Sequence, residues 1–282
     1  MKIREAMALA RGQDVPRLDA QLLLAYALGC DRAWLIAHDD HALDTGVEAW
    51  FAQALAQRRD DVPLAYLTGE REFHGLRLHV SPAVLVPRPE TEILVDWALE
   101  LLPPPAEGAP APRAADLGTG SGAIALALKQ GAPWAEVSAV DLSEAALEVA
   151  RGNARELGLA VEFLPGSWWD ALHGRHFELV ASNPPYVADA DPHLQALRHE
   201  PLSALTPGGD GLAALRAVID GAPRHLAAGG WLLLEHGHDQ SAAVRQLLAA
   251  AGFADCETRR DLAGIPRCTG GRWHGAHAGT QP

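Results

Sequence analysis

No stretch of this sequence could cross a bilayer: its longest clean apolar run, Leu22 to Leu28, falls far short of the roughly 20 residues a spanning helix needs. Near the N-terminus the apolar stretch Ala6 to Ala10 is too short for the core of a secretory signal. Cysteine is scarce. Cys30, Cys256 and Cys268 lie far apart with no C-x-x-C spacing, which excludes a disulfide framework and fits thiols in a reducing compartment. Basic charge is in deficit, with 23 Lys plus Arg against 36 Asp plus Glu and a formal net charge of −13. That balance argues against gripping bare nucleic acid through a broad basic face. A small cation, a basic protein or a basic surface suits it better as a partner. The expectation is a soluble cytoplasmic protein.

What is present is core. The chain has 282 residues, 48% of them hydrophobic, enough for one large or two ordinary domains. Residues 1–70 read as helices without a nucleophile, metal cluster or glycine loop. Pro16 opens one helix, with Leu18, Leu22 and Tyr26 on one face, Leu24 and Leu28 beside it, and Gly29 as its stop. Asp31 caps a short segment through Trp34-Leu35-Ile36. Thr45 starts a helix in which Val47, Trp50, Phe51, Ala54 and Leu55 recur at helical spacing. The spacing predicts a small bundle, one that is either structural or for partner recognition.

Leu76, Leu78 and Val80 then alternate with polar residues, Ser81-Pro82 suggests a turn, and Val84 to Val86 reads as a returning strand, so a β-hairpin is expected over 71–88. Pro89 can open a helix to about Leu102, with Glu90 and Glu92 complementing its N-terminal dipole. A proline-rich connector, Pro103 to Pro112, follows. From Ala114 strands alternate with helices: strands at Ala114–Leu117, Val137–Val140, Val161–Leu164, Phe177–Ala181 and Trp231–Glu235, and helices from Ala123, Ser143, Leu212 and Ser241. That alternation predicts an α/β fold over 89–282, a mostly parallel sheet covered on both faces, ending in a β-like tail.

Two stretches carry chemistry. Asp116-Leu117-Gly118-Thr119-Gly120-Ser121-Gly122 follows the first strand and opens a helix, where glycines let a ligand approach backbone N–H groups. Asp141 ends the next strand, placed to hold a ribose. The loop alone does not choose a cofactor, since Gly118-x-Gly120-x-x-Ala123 also satisfies a dinucleotide fingerprint. Asn183-Pro184-Pro185-Tyr186 ends the fourth strand. Two prolines stiffen the backbone and stop the ladder, leaving an amide and carbonyls to accept hydrogen bonds from a flat NH₂ group, with an aromatic ring beside them. In a doubly wound sheet the first and fourth strands flank the switch point, so Asn183 is expected beside the glycine loop.

Together the glycine loop, Asp141 and Asn-Pro-Pro-Tyr resemble the class I methyltransferases that use S-adenosylmethionine to methylate a planar NH₂. Pro87-Arg88-Pro89-Glu90-Thr91-Glu92, Tyr66-Leu67-x-Gly69-x-x-Glu72-Phe73 and Leu234-Glu235-His236-Gly237 narrow this. Over almost its full length the chain resembles the HemK/PrmC family, the protein-(glutamine-N5) methyltransferases of peptide chain release factors. The resemblance implies a Rossmann-like class I domain with an N-terminal helical bundle that helps dock a class 1 release factor. It implies S-adenosylmethionine as cofactor, S-adenosylhomocysteine as product and no metal. Gly118, Thr119, Gly120, Ser121 and Gly122 would wrap the methionine part, Asp116 would lie beneath it, Asp141 would take the ribose and Trp168 would lie near the adenine. Asn183, Pro184, Pro185 and Tyr186 would hold the substrate glutamine of a Gly-Gly-Gln motif, with Asn183 also facing the cofactor and Asn183 and Pro184 acting in transfer. A monomer is expected. The competing reading is an N6-adenine or other nucleic-acid amine methyltransferase, since the same tetrapeptide suits a flipped adenine. His236, His238 and Asp239 are weak as a metal set, His274 and His277 are expected to be solvated, and Glu90, Glu92 and Glu235 are left between site-lining and structural roles.

Overall fold

The computed structural model describes residues 1–275 and divides into two compact units, Met1–Glu70 and the chain from Arg71 onward. The first unit is helical: α1 (Ile3–Gly12), α2 (Arg17–Leu28), α3 (Arg32–Ala37), α4 (Thr45–Arg59) and α5 (Leu64–Thr68). Side chains at the helix starts satisfy N–H groups that the first turn leaves open. Asp31 accepts from the Trp34 N–H at 2.7 Å, and Asp44 from the Val47 N–H at 2.8 Å. Ile3, Leu23, Leu24, Leu35, Phe51 and Leu55 form the core of this unit. The buried side of α2 is not the expected one. Leu18 and Tyr26 stand exposed, whereas Ala20, Leu23 and Leu24 are buried. From Leu22 to Leu28 the helix is apolar on every side, so its period selects no face. Tyr26 instead lies against Trp50, ring centroids 5.5 Å apart.

The hairpin also differs from expectation. Its strands are β1 (Glu70–Phe73) and β2 (Leu76–His79), joined by His74-Gly75 with φ of +51° and +77°. Two consecutive left-handed residues give the turn that matches strand twist in a two-residue hairpin. The first strand therefore precedes the turn, and the segment 84–86 is irregular, with Val84 and Val86 buried. A His-Gly pair is a weaker turn signal than Asn-Gly, and Ser81-Pro82 looked stronger by composition alone.

After α6 (Glu92–Glu100) comes a seven-stranded sheet with its helices: β3 (Arg113–Leu117), α7 (Ala123–Gly131), β4 (Glu136–Asp141), α8 (Glu144–Leu157), β5 (Glu162–Pro165), β6 (Phe177–Ser182), α9 (Ala213–Gly221), β7 (Leu226–Glu235), α10 (Ser241–Ala250), β8 (Ala254–Arg260) and β9 (Pro266–Arg272). The order is β5-β4-β3-β6-β7-β9-β8. The first five strands are mutually parallel, and β9 runs antiparallel to both β7 and β8. One face packs on Leu94, Trp97 and Leu126, the other on Leu215, Val218 and Leu248. Burial on both faces explains why these strands read as apolar runs rather than alternations. The register pairs Leu117 with Ser182, so Gly118 and Asn183 leave the sheet side by side. Among the described residues no helix is long and apolar enough to cross a membrane.

Candidate active site

At the carboxyl ends of β3, β4 and β6 lies a cavity of about 300 Å³ whose lining includes Thr91, Gly118, Gly120, Asp141, Trp168, Asn183 and Pro185. A groove of about 420 Å³ in the helical unit, between α1, α2 and α3, is lined by apolar residues together with Arg4, Arg11, Arg17, Gln21 and Asp39. It offers no set of groups for bond making, and the chemistry belongs to the first cavity.

The glycine loop is held by its neighbours. Gly118 and Thr119 donate their N–H groups to the Val140 carbonyl at 2.8 and 3.0 Å, and the Gly120 N–H reaches Asp141 Oδ2 at 2.8 Å. The other oxygen of Asp141 accepts from the Ser143 N–H at 2.9 Å. Asp141 thus ties the loop to the start of α8, and each oxygen keeps a lone pair for a hydroxyl. Burial raises its pKa, opposed by these backbone N–H groups. Trp168 closes one side: a Cβ on Gly118 (φ +75°) would come within 3.4 Å of its ring. Of the adjacent pair Trp169 is the more deeply buried, its indole N–H donating to the Val218 carbonyl at 3.1 Å, while Trp168 packs half-buried against the same core.

Asp116 is fully buried beneath the loop. Its Oδ2 accepts from the Thr119 hydroxyl at 2.6 Å and the Ala125 N–H at 3.2 Å, whereas Oδ1 has no partner. Burial pushes its pKa up to about 7. In the unfolded chain an Asp ionises near pH 4, so between about pH 4 and 7 the native state keeps a proton that the unfolded chain has shed. The contribution of that proton to the stability of the ligand-free protein therefore falls as pH rises through that window. Glu235, also raised to about 7 by burial, adds the same slope, against the opposite slope of the buried His225 and His236, whose pKa values burial lowers. Asp116→Asn should make the slope of melting temperature against pH less negative across that window; an unchanged slope would count against a protonated Asp116.

The Asn-Pro-Pro-Tyr segment leaves β6 at the cavity wall. Asn183 Nδ2 donates to Thr91 Oγ1 at 3.3 Å, leaving the side-chain oxygen as acceptor. Pro185 lines the cavity and Pro184 is buried behind it. Tyr186 is half-buried and donates its hydroxyl to Glu235 Oε1 at 3.3 Å. Its own ionisation is pushed upward by burial and by that carboxylate. Glu92 accepts from the His74 N–H at 3.0 Å, a structural role at the hairpin. His236 is buried, its ring nitrogens on the Gly237 carbonyl and the Thr269 hydroxyl at 2.8 and 2.7 Å, and burial lowers its pKa. No group of residues that could hold a metal ion occurs among the described residues. His274 is exposed, 3.4 Å from Asp255, and His277 lies outside the described residues.

Sequence reasoning missed three supports. Thr91 lay within a recognised motif but was assigned no role. Glu200, buried in the segment after β6, accepts from the Val86 N–H at 3.0 Å and pairs with Arg88, tying Pro87-Arg88-Pro89 to the cavity wall. Asn153 on α8 accepts from the His79 N–H at 2.7 Å and donates to the carbonyls of His79 and Ser121 at 3.0 and 2.9 Å. A buried Asn on the face of Leu147, Ala150 and Ala154 was its available signal. Asn153→Ala strands three backbone groups and should cost about 3 kcal/mol, measured by denaturant unfolding; a loss below about 1 kcal/mol would contradict this pinning.

Residues 3–69 match the PrmC N-terminal domain model and 93–214 the methyltransferase small domain model. The release factor glutamine methyltransferase of Burkholderia pseudomallei is 50% identical over 279 residues, covering 96% of this chain and 96% of that protein. The Escherichia coli protein of the same name is 42% identical over 275 residues, covering 96% and 98%. The chain belongs to the release factor glutamine methyltransferase family. It is a methyltransferase of the S-adenosylmethionine-dependent class. Its fold is also that of a Pyrococcus furiosus methyltransferase structure, TM-score 0.55 at 18% identity, covering 82% of this chain and all of that one.

Proposed function

We propose that this protein transfers a methyl group from S-adenosylmethionine to the side-chain amide nitrogen (N5) of the glutamine in the Gly-Gly-Gln motif of class 1 release factors. The observation that carries this is Asn183: a carbonyl-presenting amide, fixed by Thr91, on the wall of the cavity that holds the glycine loop. The residues fit the cofactor. Asp116 keeps an unpartnered buried oxygen beneath the loop, suited to a cationic group, and Asp141 keeps lone pairs for hydroxyls. Trp168 supplies a flat apolar wall.

When bound, the cofactor supplies an electrophilic methyl group on a sulfonium. The protein's task is to make a poor nucleophile attack it. An amide nitrogen delocalises its lone pair into the carbonyl, so alignment and electrostatics carry the reaction. Asn183 Oδ1 and the Pro184 carbonyl accept the two N–H bonds of the target amide, which fixes its plane and favours the positive charge that grows on nitrogen during attack. Such alignment of two reactants is worth about 7–11 kcal/mol in well-oriented systems. The proton leaves after transfer. In this reading the protein is a cytoplasmic monomer, with a helical partner-recognition domain (1–70), a hairpin linker (71–88) and a methyltransferase domain (89–282). The helical domain helps dock the release factor.

Mass spectrometry of the Gly-Gly-Gln tryptic peptide of a release factor, with and without the enzyme and cofactor, tests this. The expected result is one added methyl on the glutamine. Methyl label on nucleic acid and none on protein would overturn it.

A further inference from the structure

Between the end of β7 at Glu235 and the start of α10 at Ser241 the chain makes a tight turn, closed by the Gln240 N–H on the Gly237 carbonyl at 3.0 Å. The buried His236 ties that turn to β9 through the Thr269 hydroxyl at 2.7 Å. Gln240 sits at the N-cap of α10, where a side chain ordinarily accepts from one of the helix's open N–H groups. Its side chain makes no such bond. It reaches the other way instead. Its Oε1 accepts from the Gly237 N–H at 2.8 Å, and its Nε2 donates to the Tyr186 carbonyl at 3.0 Å.

The two bonds fix the amide one way round. A backbone N–H can only donate and a backbone carbonyl can only accept, so a flipped amide would lose both. Glutamine suits the span: asparagine is one methylene shorter, and an ionised glutamate has no donor for the carbonyl. Tyr186 is the last residue of the Asn-Pro-Pro-Tyr segment, and the two prolines before it have fixed φ. A hold on the Tyr186 carbonyl is therefore carried along stiff backbone to the Pro184 carbonyl and to Asn183. The other end of Tyr186 is held from the same stretch, its hydroxyl donating to Glu235 Oε1 at 3.3 Å. One short turn after β7 thus grips Tyr186 by ring and by backbone.

The geometry points to Gln240 as a positioning residue that holds the Asn-Pro-Pro-Tyr segment by the Tyr186 carbonyl, so that Asn183 and Pro184 meet the target amide in register. The inference rests on the reading of the cavity as the glutamine-methylating site. Gln240 is not among the residues lining that cavity, and its effect falls on transfer rather than on cofactor binding.

The test compares Gln240→Met and Gln240→Glu with the unaltered protein in steady-state methylation of a release factor. Cofactor affinity is measured by calorimetry and the folded fraction by thermal melts. Met keeps the length of the side chain and loses both bonds. Glu keeps the bond to the Gly237 N–H and sets an anionic oxygen against the Tyr186 carbonyl. A residue that merely held the turn would tolerate Glu better, since an acid is also favoured at a helix N-terminus. A residue that positions Tyr186 gives the reverse order. Releasing the segment should lower kcat about 10-fold in Met, and pushing it away about 100-fold in Glu, the scale of a shift on the order of 1 Å. KM should move less than kcat, and cofactor affinity should stay within about 3-fold, because the glycine loop and Asp141 lie on other strands. A Glu variant that keeps as much kcat as the Met variant, or more, would overturn the inference. So would cofactor affinity falling in step with kcat. Should either variant fail to fold, the other decides alone, and kcat within about 3-fold of the unaltered protein overturns the inference. Absence of any methyl transfer by the unaltered protein would instead overturn the functional reading, and this inference with it.

Discussion

Asn183→Ala should lower kcat for release factor methylation by about 10³-fold or more, on the scale of removing a preorganised transition-state partner, while cofactor affinity changes little. The two effects separate because the cofactor's proposed holds are elsewhere: the glycine loop, Asp116 beneath it, Asp141 and the Trp168 wall. Asn183 contributes one wall and one acceptor. Its removal takes away the group that orients the target amide and leaves the Thr91 hydroxyl without its donor. KM should move less than kcat, since an interaction that strengthens as charge grows on nitrogen is spent mainly in the transition state. Radiolabel transfer to a release factor gives kcat and KM, and calorimetry gives cofactor affinity. A variant retaining more than about a tenth of wild-type kcat would show that orientation does not depend on this amide. A protein that merely bound a nucleoside and a partner would show no such loss.

The fold was readable because its largest signals are local and repeated. Strand-length apolar runs alternating with capped amphipathic helices predict a doubly wound sheet, and the register of Leu117 against Ser182 puts the glycine loop beside Asn183. The expected Ser143 cap is present, accepting from the Ala146 N–H at 3.2 Å. What the residues did not reveal are matters of which side and which partner. From Leu22 to Leu28 every side of α2 is apolar, so the buried face is chosen through packing that no period encodes. The true hairpin turn uses His74 in a left-handed conformation, a choice that composition does not advertise. Thr91, Asn153 and Glu200 act across long stretches of sequence, on Asn183, His79 and Val86 respectively. Their types were visible; their partners became visible only with the chain folded. Glu235 was left between two roles for the same reason, since a carboxylate at the end of an apolar strand reads as a strand boundary until its burial is known.

Gly211 is a further position that the sequence did not mark, and its substitution should be among the most damaging in the molecule. It lies in the segment Gly208-Gly209-Asp210-Gly211 before α9, with φ of +76°. A Cβ there would stand 2.3 Å from the Tyr186 carbonyl oxygen and 3.1 Å from the Ala188 N–H nitrogen. These are backbone atoms, held in turn by the Gln240 side chain, which donates to the Tyr186 carbonyl at 3.0 Å, and by the Val187 N–H, which donates to Leu205 at 2.9 Å. Gly211→Ala therefore combines a left-handed alanine with a contact that can be relieved only by moving the Tyr186–Ala188 backbone. The strain and overpacking together should cost about 2–4 kcal/mol. Whatever part is relieved by movement is relieved at the Asn-Pro-Pro-Tyr segment, where a shift on the order of 1 Å costs about 100-fold in rate. The folded variant should thus lose kcat by about that factor and keep its cofactor affinity, because the glycine loop and Asp141 lie on other strands. Thermal melts, kcat and calorimetric affinity on the one variant separate these effects. A destabilised protein with wild-type kcat would show that the strain is absorbed in the 208–212 loop instead, and that the stiffness of the tetrapeptide does not depend on what packs behind it.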